Sequence, residues 1–77
     1  MKFTIEQARK YRGITIEIMA GKLKMSRKTY IDYEKYRRFF RIDTAENFLK
    51  YVDLNYEDVL FLNKNYNSSV INKEEAM

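Results

Sequence analysis

The feature that most restricts the fold of this chain is its scarcity of helix-breaking residues. It has no proline and only two glycines among its 77 residues. Because proline and glycine most often interrupt helices and form tight turns, this composition favours α-helices joined by short turns. The length allows one small domain, which buries only about 60% of the surface that its unfolded chain exposes.

Residues suited to helix capping mark the starts of the first two helices. Thr4 followed by Gln7 predicts a capping box, and Gly13 suits the left-handed residue that ends this first helix. Apolar and polar residues alternate over residues 14–18, a pattern that is also typical of a strand. We favour a helix capped by Thr15, because the apolar residues that follow share one helical face and no hairpin offers a strand partner.

Three further helices are predicted along the rest of the chain. Ser26 caps a third helix over about 26–36. Asp43 with Glu46 forms a second capping box, before an amphipathic helix. Asn55 caps a fifth, short helix. The apolar residues assigned to the last two helices are Ala45, Phe48, Leu49 and Val52, then Val59, Leu60 and Leu62.

The sequence therefore predicts an all-α domain over residues 1–62 and a polar C-terminal tail over 63–77. Val70 and Ile71 are the strongly apolar residues of that tail, which the sequence leaves as frayed, disordered or an association arm. No stretch reaches the roughly 18 apolar residues of a membrane helix, and no signal peptide opens the chain. We expect a cytoplasmic protein without a membrane partner.

The absence of two residue types excludes several functions. Without cysteine or histidine there is no disulfide, no Cys–His dyad, no Ser–His–Asp triad and no ordinary zinc site. The carboxylates form no paired constellation and no glycine-rich phosphate loop exists. We therefore expect no catalytic residue, no metal, no cofactor and no small-molecule substrate.

Charge is distributed unevenly between the two halves. Residues 1–41 hold twelve basic and four acidic residues, a formal charge of +8, whereas residues 42–77 hold three basic and seven acidic ones, a charge of −4. A dense basic half is typical of proteins that bind a polyanion, most often nucleic acid. An ordinary solvated surface has the same composition, so charge alone leaves both interpretations open.

The segment from Thr15 to Glu34 resembles the helix-turn-helix of the lambda-repressor and Cro family, also called the xenobiotic-response-element type. The residues that match the family pattern are Thr15, Ala20, Leu23, Ser26, Tyr33 and Glu34, with Met19, Met25 and Tyr30 apolar where the family is apolar. The likeness covers about residues 3–62. The chain departs from the pattern at Ile16, where glutamine is usual, and at Lys24 and Tyr36, where glycine is usual.

This resemblance implies a compact five-helix, lambda-repressor-like domain with its helix-turn-helix at about 15–36, whose third helix reads the major groove. The residues expected at base edges are Arg27, Lys28, Thr29, Ile31 and Asp32. Those expected at phosphates are Thr15, Ser26, Lys35, Arg37 and Arg38.

Each of these residues also has a plainer interpretation. Arg27 and Lys28 suit a solvated helix start, and Ile31 suits packing. Asp32 either accepts from a base or pairs with Arg27 or Lys28. Glu34 is expected to pair with a nearby arginine, while Arg9, Lys10 and Arg12 are expected to be solvated.

Two functions remain open at this level. The first is a sequence-specific, double-stranded DNA-binding transcription regulator that acts as a homodimer on its operator. The alternative is a helix-turn-helix scaffold that binds a partner repressor, through Phe39, Phe40 or the tail. Phe39 and Phe40 are also explained as loop residues that close the core.

Overall fold

The structure is a computed structural model that describes residues 2–62. Its elements are β1 (Phe3–Thr4), α1 (Ile5–Tyr11), α2 (Ile16–Lys22), α3 (Arg27–Glu34), α4 (Ile42–Val52), a 3-10 turn (Tyr56–Asp58) and β2 (Val59–Leu60). The predicted tail over 63–77, with Val70 and Ile71, lies outside the described residues. Within residues 2–62, no helix combines the length and apolar character needed to cross a membrane.

The prediction of five helices in an all-α fold is wrong, because a small parallel sheet takes the place of the fifth helix. Asp58 does accept a hydrogen bond from the backbone N–H of Asn55, at 3.0 Å, which starts a helical turn. The backbone then becomes extended at Val59, with φ −124° and ψ 132°. Val59 pairs with Phe3, and Leu60 with Thr4. A buried β-branched residue suits such a strand, and pairing with β1 outweighs continuation of the turn.

Three of the predicted N-caps are confirmed. Thr4 and Gln7 form a reciprocal capping box, with hydrogen bonds of 3.0 and 2.9 Å between each side chain and the other residue's backbone N–H. The hydroxyls of Thr15 and Ser26 each accept from the backbone N–H three residues later, both at 3.1 Å. The ambiguous segment after Gly13 is therefore a helix and not a strand.

The cap predicted for α4 is wrong. This helix begins at Ile42, with Arg41 as an N-cap that makes no side-chain hydrogen bond. The Asp43 carboxylate instead accepts from the adjacent backbone N–H of Thr44 at 2.8 Å, and no capping box forms. Asp43 still lies in the first turn, where a negative charge is favourable beside the helix dipole.

Each α-helix is followed or closed by a residue in the left-handed conformation. These residues are Gly13, Lys24, Tyr36 and Asp53, with φ of 70°, 59°, 61° and 56°. Only the first is a glycine, so three side chains occupy a conformation that costs about 1 kcal/mol or more for a residue with a Cβ.

One hydrophobic core joins the helices to the sheet. Its largest fully buried side chains are Ile5, Met19, Tyr30, Phe48, Val52 and Val59. Phe40 closes this core from the loop before α4, with ring centroids 4.5 Å from Tyr33, 5.6 Å from Phe48 and 5.8 Å from Phe61. The loop interpretation of Phe40 is confirmed, whereas Phe39 keeps 44% of its surface exposed.

Candidate nucleic-acid interface

The second and third helices form a helix-turn-helix. Between them, residues 23–26 turn the chain, with the N–H of Met25 donating to the carbonyl of Ala20 at 3.0 Å and that of Lys24 to Gly21 at 3.1 Å. These two bonds satisfy the carbonyls at the end of α2. The third helix ends at Glu34, two residues before the predicted boundary at 36.

The inner face of α3 is fixed to α1 by a buried ion pair. Arg9 Nε donates to Glu34 Oε2 at 2.5 Å, and both side chains are at most 7% exposed. The Tyr30 hydroxyl donates to the same oxygen at 2.6 Å, and Arg9 also donates to the carbonyl of Ile14 at 2.7 Å. Burial, reinforced by the bond to Glu34, raises the pKa of Tyr30 well above its usual range.

This arrangement confirms the pairing expected for Glu34 and corrects the expectation that Arg9 is solvated. Arg9 lies four residues after Ile5 and one after Ala8, so it shares the buried face of α1. Burial lowers the pKa of Arg9, but hydrogen bonding and charge from Glu34 outweigh that effect and leave it raised. Arg9 is therefore a structural cation that fixes the orientation of α3.

The outer face of α3 brings most of the predicted base-reading residues together. The positions i, i+1, i+4, i+5 and i+8 of a helix lie along one side, and here they are Arg27, Lys28, Ile31, Asp32 and Lys35. Arg27, Lys28 and Lys35 are exposed, whereas Ile31 and Asp32 are half-buried. Thr29 is half-buried beside them.

Two of these charged side chains are already ion-paired within the domain. Arg27 Nε donates to Glu17 Oε2 at 2.8 Å. Asp32 Oδ1 accepts from Arg37 Nε at 3.0 Å, and this partner differs from the Arg27 or Lys28 predicted for it. Lys28 is the third charged residue among the base-reading candidates. Its side chain makes neither an ion pair nor a hydrogen bond with any residue between 2 and 62.

The predicted phosphate-binding residues lie at both ends of α3 and at the start of α2. The Ser26 hydroxyl caps α3 and donates to the Thr29 hydroxyl at 2.9 Å, whereas the Thr15 hydroxyl caps α2. Beyond the other end, Lys35 and Arg37 are exposed, and the Arg38 guanidinium lies 5.6 Å from the Tyr33 ring centroid. Of these three cations, Lys35 continues the outer face and Arg37 is paired with Asp32 on that face, whereas Arg38 lies over Tyr33.

Ion pairing leaves an excess of positive charge around the helix-turn-helix. All four acidic residues between 2 and 41 are paired, and their partners are Lys10, Arg27, Arg37 and Arg9. On or beside α2 and α3, five cations have no acidic partner among residues 2–62, and they are Lys22, Lys24, Lys28, Lys35 and Arg38. Positive charge of this kind attracts a polyanion over several ångströms and gives strongly salt-dependent binding.

No protein-family model matches the chain, and neither a curated protein nor a solved structure matches it. The arrangement of the site therefore carries the functional argument. Sequence reasoning missed one residue of that arrangement, Glu17. Glu17 belongs to α2, and its contact with Arg27 depends on how α2 and α3 pack, so no local pattern in the sequence indicates it.

Proposed function

We propose that this protein is a sequence-specific, double-stranded DNA-binding regulator of transcription that inserts α3 into the major groove. The observation that carries the proposal is the outer face of α3, which presents basic side chains on a helix that the buried Arg9–Glu34 pair fixes to α1. We place its action in the cytoplasm, without a cofactor.

The dimensions and chemistry of DNA suit this face. The major groove is about 12 Å wide and admits an α-helix, and arginine or lysine donates there to guanine O6 and N7. Arg27 and Lys28 stand at the N-terminal end of α3, where the helix dipole also favours an anion. Lys35, Arg37 and Arg38 at the opposite end are suited to the phosphates that border the groove.

The homodimer belongs to the same proposal. One α3 spans a single half-site, and two copies on one face of DNA meet half-sites about 34 Å apart. The acidic residues after Arg41 favour an approach in which the basic half of the domain faces the DNA.

Binding by fluorescence anisotropy tests the proposal, with DNA selected from a random library and a scrambled duplex as competitor. Lys28→Ala should weaken binding to the selected DNA by about fivefold or more, since a good base contact contributes about 1–3 kcal/mol of discrimination. Lys50→Ala, which removes the same charge from an exposed site on α4, is the matched control and should have little effect. Equal binding to selected and scrambled DNA would count against the proposal.

The protein-binding alternative is favoured by one observation, the exposure of two large apolar side chains three positions apart in the sequence, Phe39 at 44% and Ile42 at 74%. A regulator that acts through this surface keeps its activity in Lys28→Ala and loses it in Phe39→Ser. The opposite pattern supports DNA binding.

A further inference from the structure

The Glu17–Arg27 pair joins the first turns of α2 and α3 at the surface. Glu17 Oε2 accepts from Arg27 Nε at 2.8 Å, while the two side chains remain 66% and 59% exposed. Exposed ion pairs contribute little to folding in general, because water and salt screen them. The core therefore does not require this pair. Because the pair lies beside the outer face of α3, a role in DNA binding fits it better than a role in folding.

The geometry of the pair leaves the outer end of Arg27 available. An arginine side chain has five N–H donors, of which one is on Nε and four are on the two terminal nitrogens. Glu17 occupies the Nε donor, and the terminal nitrogens donate to nothing in the part of the chain that the structure describes. Those terminal nitrogens form the fork that matches guanine O6 and N7.

The charge of Glu17 changes what Arg27 attracts. A free arginine at a helix start is attracted to any nearby phosphate, and such contacts are independent of sequence. A carboxylate beside it repels phosphate and offsets that attraction. A backbone hydrogen bond at the start of α2, together with Arg27, lowers the pKa of Glu17, so the carboxylate is charged at neutral pH.

Building on the DNA-binding function proposed above, we propose that Glu17 is a positioning residue that makes Arg27 a reader of guanine and suppresses its contacts with phosphate. Glu17 holds the arginine by its inner nitrogen, leaves the terminal fork free, and cancels much of its charge towards the DNA backbone. Glu17 thereby raises the ratio of specific to non-specific affinity without touching a base.

Glu17→Gln tests this role because it removes the charge and keeps the shape of the side chain. Affinity for random-sequence duplex should rise about eightfold at 0.1 M salt, with a salt slope steeper by about 0.9, as expected for one added phosphate contact. Affinity for the selected site should change far less, so the specificity ratio falls by nearly the same factor. Glu6→Gln is the matched control, since Glu6 is an exposed carboxylate paired with Lys10 on α1 at 3.1 Å.

A second measurement shows whether the effect passes through Arg27. In an Arg27→Ala background, Glu17→Gln should leave the specificity ratio unchanged, and thermal unfolding should confirm that each variant is folded. The role of Glu17 is overturned if the ratio is unchanged in the single variant, if Glu6→Gln lowers it equally, or if the drop persists without Arg27. If any of these results is found while Lys28→Ala still weakens binding to the selected DNA, only the role of Glu17 is rejected and the proposal of DNA binding stands. Absence of DNA binding by the unaltered protein at low salt removes both proposals.

Discussion

Removing the charge of Glu34 should destabilise the whole domain. Glu34→Gln keeps the size of the side chain but leaves the Arg9 guanidinium buried without its anion. Both side chains of the pair are at most 7% exposed, so water compensates little for the loss. Breaking a buried ion pair by changing one partner costs about 3–5 kcal/mol. Tyr30 also loses the carboxylate that accepts the hydrogen bond from its hydroxyl.

That cost is large in proportion to the stability of so small a domain. Proteins unfold with free energies of about 0.05–0.15 kcal/mol per residue, which is about 3–9 kcal/mol for the 61 residues from 2 to 62. Glu34→Gln should therefore remove a third or more of the total, and leave a partly unfolded population at 37 °C if the unaltered domain lies at the lower end. Urea unfolding followed by circular dichroism at 222 nm measures the difference.

The control is Glu6→Gln, which breaks the exposed pair with Lys10 on the same helix as Arg9. Exposed pairs with this spacing contribute about 0.3–0.5 kcal/mol, so this variant should unfold almost like the unaltered protein. A loss below about 1 kcal/mol in Glu34→Gln, or an equal loss in both variants, would refute the claim that the buried pair anchors α3.

Two further predictions concern strained and buried groups. Lys24→Gly should stabilise the domain by about 1 kcal/mol, because Lys24 has a φ of 59° and glycine adopts this left-handed conformation without strain. Lys50→Gly, inside α4, should instead destabilise the domain. Chemical denaturation shows whether the two changes in the free energy of unfolding have opposite signs. Burial raises the pKa values of Tyr30 and Tyr36 in the folded state, so above about pH 10 the unfolded chain binds fewer protons and stability falls as pH rises. Urea unfolding between pH 8 and 11, with tyrosinate absorbance at 295 nm, checks this, and a flat profile would contradict it.

The helices were predictable because their signals are local. A threonine or serine cap needs only the backbone a few residues ahead of it, which is why Thr4, Thr15 and Ser26 behave as expected. The cap at Asp43 failed although it has the same local chemistry, since α4 begins two residues earlier than that cap requires.

Features that depend on distant residues were not predictable in the same way. Val59 and Leu60 have an apolar spacing compatible with either a helix or a strand, and pairing with β1 decides between them. Arg9 looks like a surface cation until a carboxylate from α3 is placed opposite it.

The same division holds for the candidate site. Helical periodicity alone places Arg27 and Lys28 on the outer face of α3. The pairing of Arg27 with Glu17, and of Asp32 with Arg37, depends on rotamers and on the angle between elements, which no residue pattern specifies.

The parallel sheet ties the beginning of the domain to its end. Phe3 pairs with Val59, and the Tyr36 hydroxyl bridges the two ends by accepting from the N–H of Ile5 and donating to the carbonyl of Leu60. Closing so long a loop carries an entropic cost that local helical contacts do not. During synthesis, β1 leaves the ribosome before the other elements of the domain and has no partner until β2 follows it. The helix-turn-helix can thus form early, while completion of the sheet waits for nearly the whole domain.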